Sequence, residues 1–459
     1  MKKRSIPRNF LPNSDQKNPN FLSRKLHTLL TSEGGFSISL RFLARITNEL
    51  DFLGANMEAL PWPGRRVKIR YGVIPFCFFL LFSLAAKAWG VEPVKIGLLM
   101  PPQEFNTSAS QPYLRGAEMA VAELNAREGK QGIQFLLVLR QGLHTGEKEL
   151  KELHKIILEE QLHFLLGAMA KEAILPVAKL AQEERLPFLV FPIDFMETIS
   201  TGAEPASLFW ISPAPEAFQR AAVRTAAQFP QKKFFLLAQE SKIGRNWVKY
   251  FWEELRRLKP DAEPAGEIFL AEKMGDYGPY LRTVLAAKTE VCVSHLGAKE
   301  WPRFVKMAQK QDYFKKITHF ELESGTLESL VAVQKNAPEG IWGISAFPFW
   351  ALGWQETKEF VSHYREKNHS YPGLEALSGY VSIYALVEAM KKGGSLNPER
   401  VLRILPGLSF RTPIGPLAIR PTDHRALWPI WCGASKFISD YPFAILGDLK
   451  AFGPDSFQP

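Results

Sequence analysis

From Pro93 onward, short apolar runs alternate with longer segments in which apolar residues return every third or fourth position. The first pair sets the pattern. Residues 94–99, VKIGLL, form an apolar, β-prone run, while Ala117, Met119, Ala120, Val121 and Leu124 recur at helical spacing. This predicts a strand, a loop over 100–114 and a helix, which together are half of a βαβ unit. Arg115 and Gly116 fall at the junction of loop and helix. The loop is longer than a usual connection, and its Gln, Asn, Thr and Ser residues suit a polar lining. Helix N-termini at the carboxyl ends of parallel strands are where open α/β sheets hold ligands.

The alternation then repeats. Strands are predicted at 133–139, 164–166 and 186–191, with helices at 147–160 and 173–184 between them. Four strands separated by helices require a parallel sheet covered on both faces. At LFWISPAP, 208–215, the pattern resets. A second series follows, with strands at 233–238, 267–270, 290–294 and 317–320 and helices at 246–258, 277–287 and 301–310. Helices at 375–391 and 398–404 and the closing stretch 414–449 are too few for a third domain. The expected fold class is α/β, two similar lobes with parallel sheets.

Charge changes the picture only at one end. The formal net charge is +10, yet the first 88 residues hold 14 Lys and Arg against 5 Asp and Glu, which leaves about +1 for the remaining 371. Nucleic-acid binding, which needs a clustered basic face, therefore has no support in the body of the chain. Residues 64–90 run from basic Arg65, Arg66, Lys68 and Arg70 through an apolar stretch at 71–84 to Ala86-Lys87-Ala88. That is the order of a secretory signal with an A-x-A cleavage site, and its apolar run is short for a bilayer crossing. Met57 precedes the basic region closely and would make a normal start. Residues 1–56 read as a non-structural upstream extension, 57–88 as the signal region, and the mature chain as an exported protein beginning at Trp89.

After Ala88 the only cysteines are Cys292 and Cys432, and one disulfide or two structural thiols are both open. No G-x-S-x-G elbow, P-loop or G-x-G-x-x-G after a strand is present, so no catalytic residue and no cofactor is expected. His295, His319, Glu321 and Glu323 lack a metal-ligand spacing such as HExxH or CxxC and read as solvated faces, so no metal is expected. Gly393-Gly394 after Lys391-Lys392 reads as a helix C-cap rather than a phosphate loop.

Several segments in order carry a resemblance: KIGLLMP, RGAEMAVAELNAREG, FLLGAMAKEAILPVAKLAQEERLPFLVFP, NAPEGIWG and GYVSIYALVEAM. The chain from Pro93 to about Leu449 resembles the leucine/isoleucine/valine-binding proteins, type I periplasmic solute-binding components of ABC transporters. The resemblance implies two Rossmann-like lobes joined by a three-crossing hinge that closes on ligand. Crossings are placed at 211–215, 347–349 and 409–414. Lobe I then comprises 89–212 and 349–409, and lobe II 213–348 and 410–459.

In that family a hydroxyl and backbone amides of the first lobe cap an amino acid's carboxylate, and a glutamate of the second lobe takes its ammonium. Spacing from Gly167 to Pro176 carries the serine position onto Lys171, beside Ala170. The threonine position falls on Asp194 or Phe195, the glutamate on Glu323, and the loop aromatics near Leu296 and on Ile243. Phe105, in the long first loop, completes the candidate ligand-binding set. Without the two hydroxyls, the implied ligand is a small carboxylate or other polar molecule, amino-acid-like, rather than leucine, isoleucine or valine. The implied partners are an ABC permease and ATPase in the membrane, with the protein in the periplasm. The alternative is a periplasmic ligand-sensing module for a membrane receptor.

Overall fold

The computed structural model describes residues 93–102, 109–128, 133–142, 146–197, 204–271 and 275–453. The leader, its cleavage site and Phe105 lie outside them. The described residues build two α/β lobes with mostly parallel sheets.

In the first lobe, strands and helices alternate as β1 (Val94–Leu99), α1 (Ser110–Glu128), β2 (Phe135–Arg140), α2 (Glu147–Glu160), β3 (Phe164–Met169), α3 (Lys171–Glu183), β4 (Phe188–Pro192) and β5 (Leu208–Trp210). The sheet order is β2-β1-β3-β4-β5, all parallel. β3 shows why helices cover both faces. All six of its residues are buried. Leu166 and Ala168 join Ala117 and Leu124 of α1 in one apolar cluster, whereas Leu165 and Met169 join Ile174 and Val177 of α3 in another. Successive strand side chains point to opposite faces, so a strand without polar positions must be covered twice.

The second lobe repeats the plan with α4 (Pro215–Ala226), β6 (Lys233–Gln239), α5 (Lys242–Leu258), β7 (Glu263–Leu270), α6 (Gly278–Ala286), β8 (Val291–His295), α7 (Trp301–Gln309), β9 (Thr318–Glu321), α8 (Leu327–Val333) and β10 (Trp342–Ser345). The chain then adds α9 (Gln355–Asn368), α10 (Leu374–Gly393) and α11 (Pro398–Ile404) to the first lobe. A hairpin of β11 (Ser409–Thr412) and β12 (Gly415–Ala418) follows, and β13 (Ile430–Lys436) and β14 (Ile445–Phe452) complete the second sheet. That sheet has the order β14-β13-β10-β9-β8-β6-β7, with β13 antiparallel to both neighbours. Trp428 Nε1 donates to the Ala346 carbonyl at 2.9 Å and Trp350 Nε1 to the Leu446 carbonyl at 2.8 Å, tying two returning segments together.

Several expectations change. Arg115 and Gly116 lie inside α1, which already starts at Ser110, because Tyr113 and Leu114 are buried with the rest of the helix. The pattern does not reset before Leu208–Trp210, which pairs with β4 as a fifth strand. Residues 409–414 form part of a hairpin rather than a crossing; Arg425 still bridges to Trp210, and the chain enters the second sheet only at Ile430. The periodicity does not predict helices α4, α8 and α9. In α9 only Thr357, Phe360 and Tyr364 are buried, too thin an apolar stripe to register. Both cysteines are free and buried, and burial pushes each thiol up to about 12, which makes them structural. Gly394 is the C-cap of α10 at φ 58°, as read.

α10 lies unusually close to α1. A Cβ on Gly379 would collide with the Tyr113 carbonyl, and one on Gly116 with the Ala376 carbonyl. Tyr113, fully buried, donates its hydroxyl to Ser382 Oγ at 3.1 Å across the same seam. Helix propensity alone would make Gly379→Ala stabilising by about 1 kcal/mol. Overpacking should win instead, with a loss of about 1–3 kcal/mol. Urea denaturation of the two proteins reads the sign directly.

Candidate functional site

The carboxyl ends of the parallel strands carry the candidate residues of both lobes. In the first lobe β3 ends at Met169, and Ala170, extended at φ −67° and ψ 148°, occupies the N-cap of α3 without a side-chain hydrogen bond. The alanine side chain offers the first-turn amides no acceptor, and only the Ala170 carbonyl takes one of them, from Ala173. Lys171 is the first helical residue and half-buried. The helix thus starts two residues earlier than its periodicity predicted, since Ala173 already donates to the Ala170 carbonyl. The loop after β4 lies beside it, with Ile193 N donating to the Met169 carbonyl at 3.0 Å. Asp194 and Phe195 follow in this turn, both half-buried. The Phe195 ring is committed to packing, 6.0 Å from Phe191 and 5.5 Å from Phe218 of α4.

The second-lobe half is built on the ends of β6, β8 and β9. Ile243, half-buried, sits in the first turn of α5, where Ser241 Oγ caps the Gly244 amide. Gly244 is required there, because a Cβ would collide with the Gln239 carbonyl at the end of β6. Leu296 is placed differently from expectation. Its side chain is buried in the lobe core with Tyr277 and Trp301, so what it offers is backbone. Its carbonyl accepts from Gln239 Nε2 at 3.0 Å and its N–H donates to Glu321. Glu323 lies just past β9, and its Oε1 is 3.1 Å from His295 Nε2.

Beneath this pair is a polar network that the sequence did not reveal. Glu321 and His319, read as solvated, are both buried. Ser294 Oγ donates to Glu321 and lies 2.9 Å from His319 Nε2, and Tyr313 Oη is 3.2 Å from His319 Nδ1. Burial holds His319 neutral, down to about 3, while its ring stacks on Trp301 at 5.4 Å. Burial also pushes the Glu321 carboxyl up to about 7, against the opposing pull of Ser294 and His295. The four residues His295, His319, Glu321 and Glu323 therefore do come together, but as a hydrogen-bonded stack. Among the described residues no group of three or more His, Cys, Asp or Glu is arranged to hold a metal. Gln239 and His295 had no motif to mark them; their only signal is position, each closing a parallel strand.

With this geometry in hand, comparison with known proteins decides the family. The family model described as periplasmic binding protein matches residues 93–436. The chain belongs to the periplasmic binding protein family. Its fold is that of the type I periplasmic binding proteins. A solute-binding protein of an ABC transporter from Rhodopseudomonas palustris, in complex with 3,4-dihydroxybenzoic acid, is 19% identical with a TM-score of 0.62, covering 79% of this chain and 98% of that one. Another from R. palustris, in complex with 4-hydroxybenzoate, is 16% identical with a TM-score of 0.64 over 80% and 99%. The branched-chain amino acid binding protein LivJ of Streptococcus pneumoniae, with isoleucine, is 16% identical with a TM-score of 0.62 over 79% and 100%. No curated protein matches the chain by sequence. No helix among the described residues is long and apolar enough to cross a membrane.

The raised Glu321 carboxyl has a thermodynamic consequence. An unfolded glutamate ionises near 4.5, the buried one near 7, so the stabilising contribution present below pH 4.5 is lost as pH rises to 7. The loss is on the order of 3 kcal/mol at 1.36 kcal/mol per unit. Glu321→Gln has no proton to release, and its amide still accepts from Leu296 N. Its stability relative to wild type should therefore rise between pH 4.5 and 8 by on the order of 3 kcal/mol; denaturation at both pH values would reveal a flat difference if burial does not perturb the group.

Proposed function

We propose that the protein is an exported solute-binding component of an ABC transporter. It holds a small organic carboxylate between its lobes and presents it to a membrane permease driven by an ATPase, without catalysing a reaction. Family membership and the convergence of strand ends support this reading. The carboxylate end of the ligand is assigned to the first lobe. The observation that carries this is the start of α3, where Lys171 stands at a helix N-terminus whose Ala170 cap offers no side-chain acceptor of its own. A bound carboxylate would receive the amides and a charge-assisted bond from the lysine. Neither lobe-I position carries the hydroxyl that the resemblance implies for an amino acid's carboxylate, so aliphatic amino acids bind weakly. The hydroxybenzoates in two related complexes make aromatic acids natural first probes. Lobe I comprises the first sheet with α9 to α11, lobe II the second, and export delivers the mature protein to the periplasm.

Two measurements test this. Titration calorimetry should find an organic acid that binds, and Lys171→Met should weaken it by about 1.5–3 kcal/mol; tight leucine binding indifferent to Lys171 would return the protein to the ordinary amino-acid class. A ligand that bridges both lobes binds the closed state better, so small-angle scattering at saturation should show a smaller radius of gyration. An unchanged radius would mean that the ligand touches one lobe only.

A further inference from the structure

The resemblance carries the ammonium-binding glutamate position onto Glu323, which already has a partner. His295 ends β8 and Glu323 follows β9, on neighbouring parallel strands, with Nε2 and Oε1 3.1 Å apart. The side chains are 14% and 17% exposed, so the pair is largely shielded from solvent. The His295 ring also meets Trp247 of α5 edge-on at 5.9 Å. Beside the pair Gly297, at φ 81°, has no side chain. A Cβ there would be 3.8 Å from Gln239 Nε2 and 4.0 Å from Glu323 Oε1, so the bare glycine leaves the space between that amide and the carboxylate clear. Gln239 spends one amide hydrogen on the Leu296 carbonyl and keeps a second.

We infer that His295 sets the ligand class of the second-lobe half: with Glu323 and Gln239 it forms a preassembled cradle for a ligand hydroxyl that discriminates against an ammonium. This deepens the carboxylate reading above and rests on it. If His295 is imidazolium, its charge cancels that of Glu323, and an incoming ammonium loses its hydration beside a like charge. If it is neutral, its Nε2–H still occupies Oε1, and the ammonium gains only one of two carboxylate oxygens. A hydroxyl suits both cases, donating to the Glu323 carboxylate and accepting from the second Gln239 hydrogen. Glu321 behind the pair does not restore a net negative charge at neutral pH in full, because its own carboxyl is partly protonated there. The ligand assigned to this cleft is thus a hydroxylated carboxylate, its acid toward α3 and its hydroxyl toward β8 and β9.

Three probes that share one frame test the assignment: 4-hydroxybenzoate, benzoate and 4-(aminomethyl)benzoate, titrated calorimetrically into the mature protein at pH 7. The wild type should bind the hydroxyl probe at least tenfold more tightly than either of the others. His295→Ala releases Glu323, so the hydroxyl preference should fall to within about threefold and the aminomethyl probe should gain at least tenfold; a thermal melt checks that the variant is folded. The wild-type ranking decides the matter if it is not. Benzoate binding with no preference for the hydroxyl, or equal or tighter binding of the ammonium probe, overturns this inference and leaves the carboxylate reading standing. No binding of any probe overturns both.

Discussion

A strand buried at each of its residues, as β3 is, can exist in water only if other elements cover both of its faces. The rest of the architecture follows from that requirement. Helices α1 and α10 pack on one side of the first sheet and α2 and α3 on the other, and the second sheet repeats the arrangement with Phe234 and Leu236 facing one apolar cluster and Phe235 and Leu237 the other. Once both faces are covered, the strand ends are where polar backbone and side chains can meet solvent. The connections after β3, β4, β6, β8 and β9 carry the described candidate residues, at the strand ends where open α/β sheets place ligands.

Close packing of the cover has its own conditions. α10 approaches α1 so nearly that Gly116 and Gly379 are demanded by the opposing carbonyls, and Tyr113 and Ser382 satisfy one another within the seam. At the outer end Tyr380 and Tyr384 both donate to Glu123, at 2.7 and 3.2 Å. The helix that completes the first lobe is thus supplied by the chain only after it has built most of the second, and the lobes are bound together by connectivity as well as by contact.

The second lobe holds its candidate residues differently. Ser294, His319, Tyr313 and Glu321 satisfy one another away from water, and this stack supports the loop from which His295 and Glu323 emerge. A half-satisfied network would be costly in a low dielectric, whereas a complete one makes the geometry of its members rigid. The position of the half-buried His295–Glu323 pair is consequently set by the buried groups behind it. The first lobe relies instead on backbone, through the uncapped start of α3 and the bond from Ile193 to Met169.

Alternation of strand and helix, the two-lobe plan and the ends of elements such as 147–160 and 398–404 were legible from apolar periodicity, because the burial of each face is a local demand on residue type. Helices with a thin apolar stripe, such as α9, were not, and neither was the place at which the chain finally re-enters the second sheet at Ile430, which long-range pairing decides. The family resemblance could bring Lys171, Asp194 and Glu323 forward as positions. It could not show that Phe195 and Leu296 turn into packed surroundings, or that His319 and Glu321 are buried, because exposure of a short polar stretch depends on what other segments lay over it. Most of all, the sequence determined that a glutamate stands at residue 323, while only the tertiary structure decided that His295 reaches it: two residues 28 positions apart meet because parallel strands β8 and β9 end side by side.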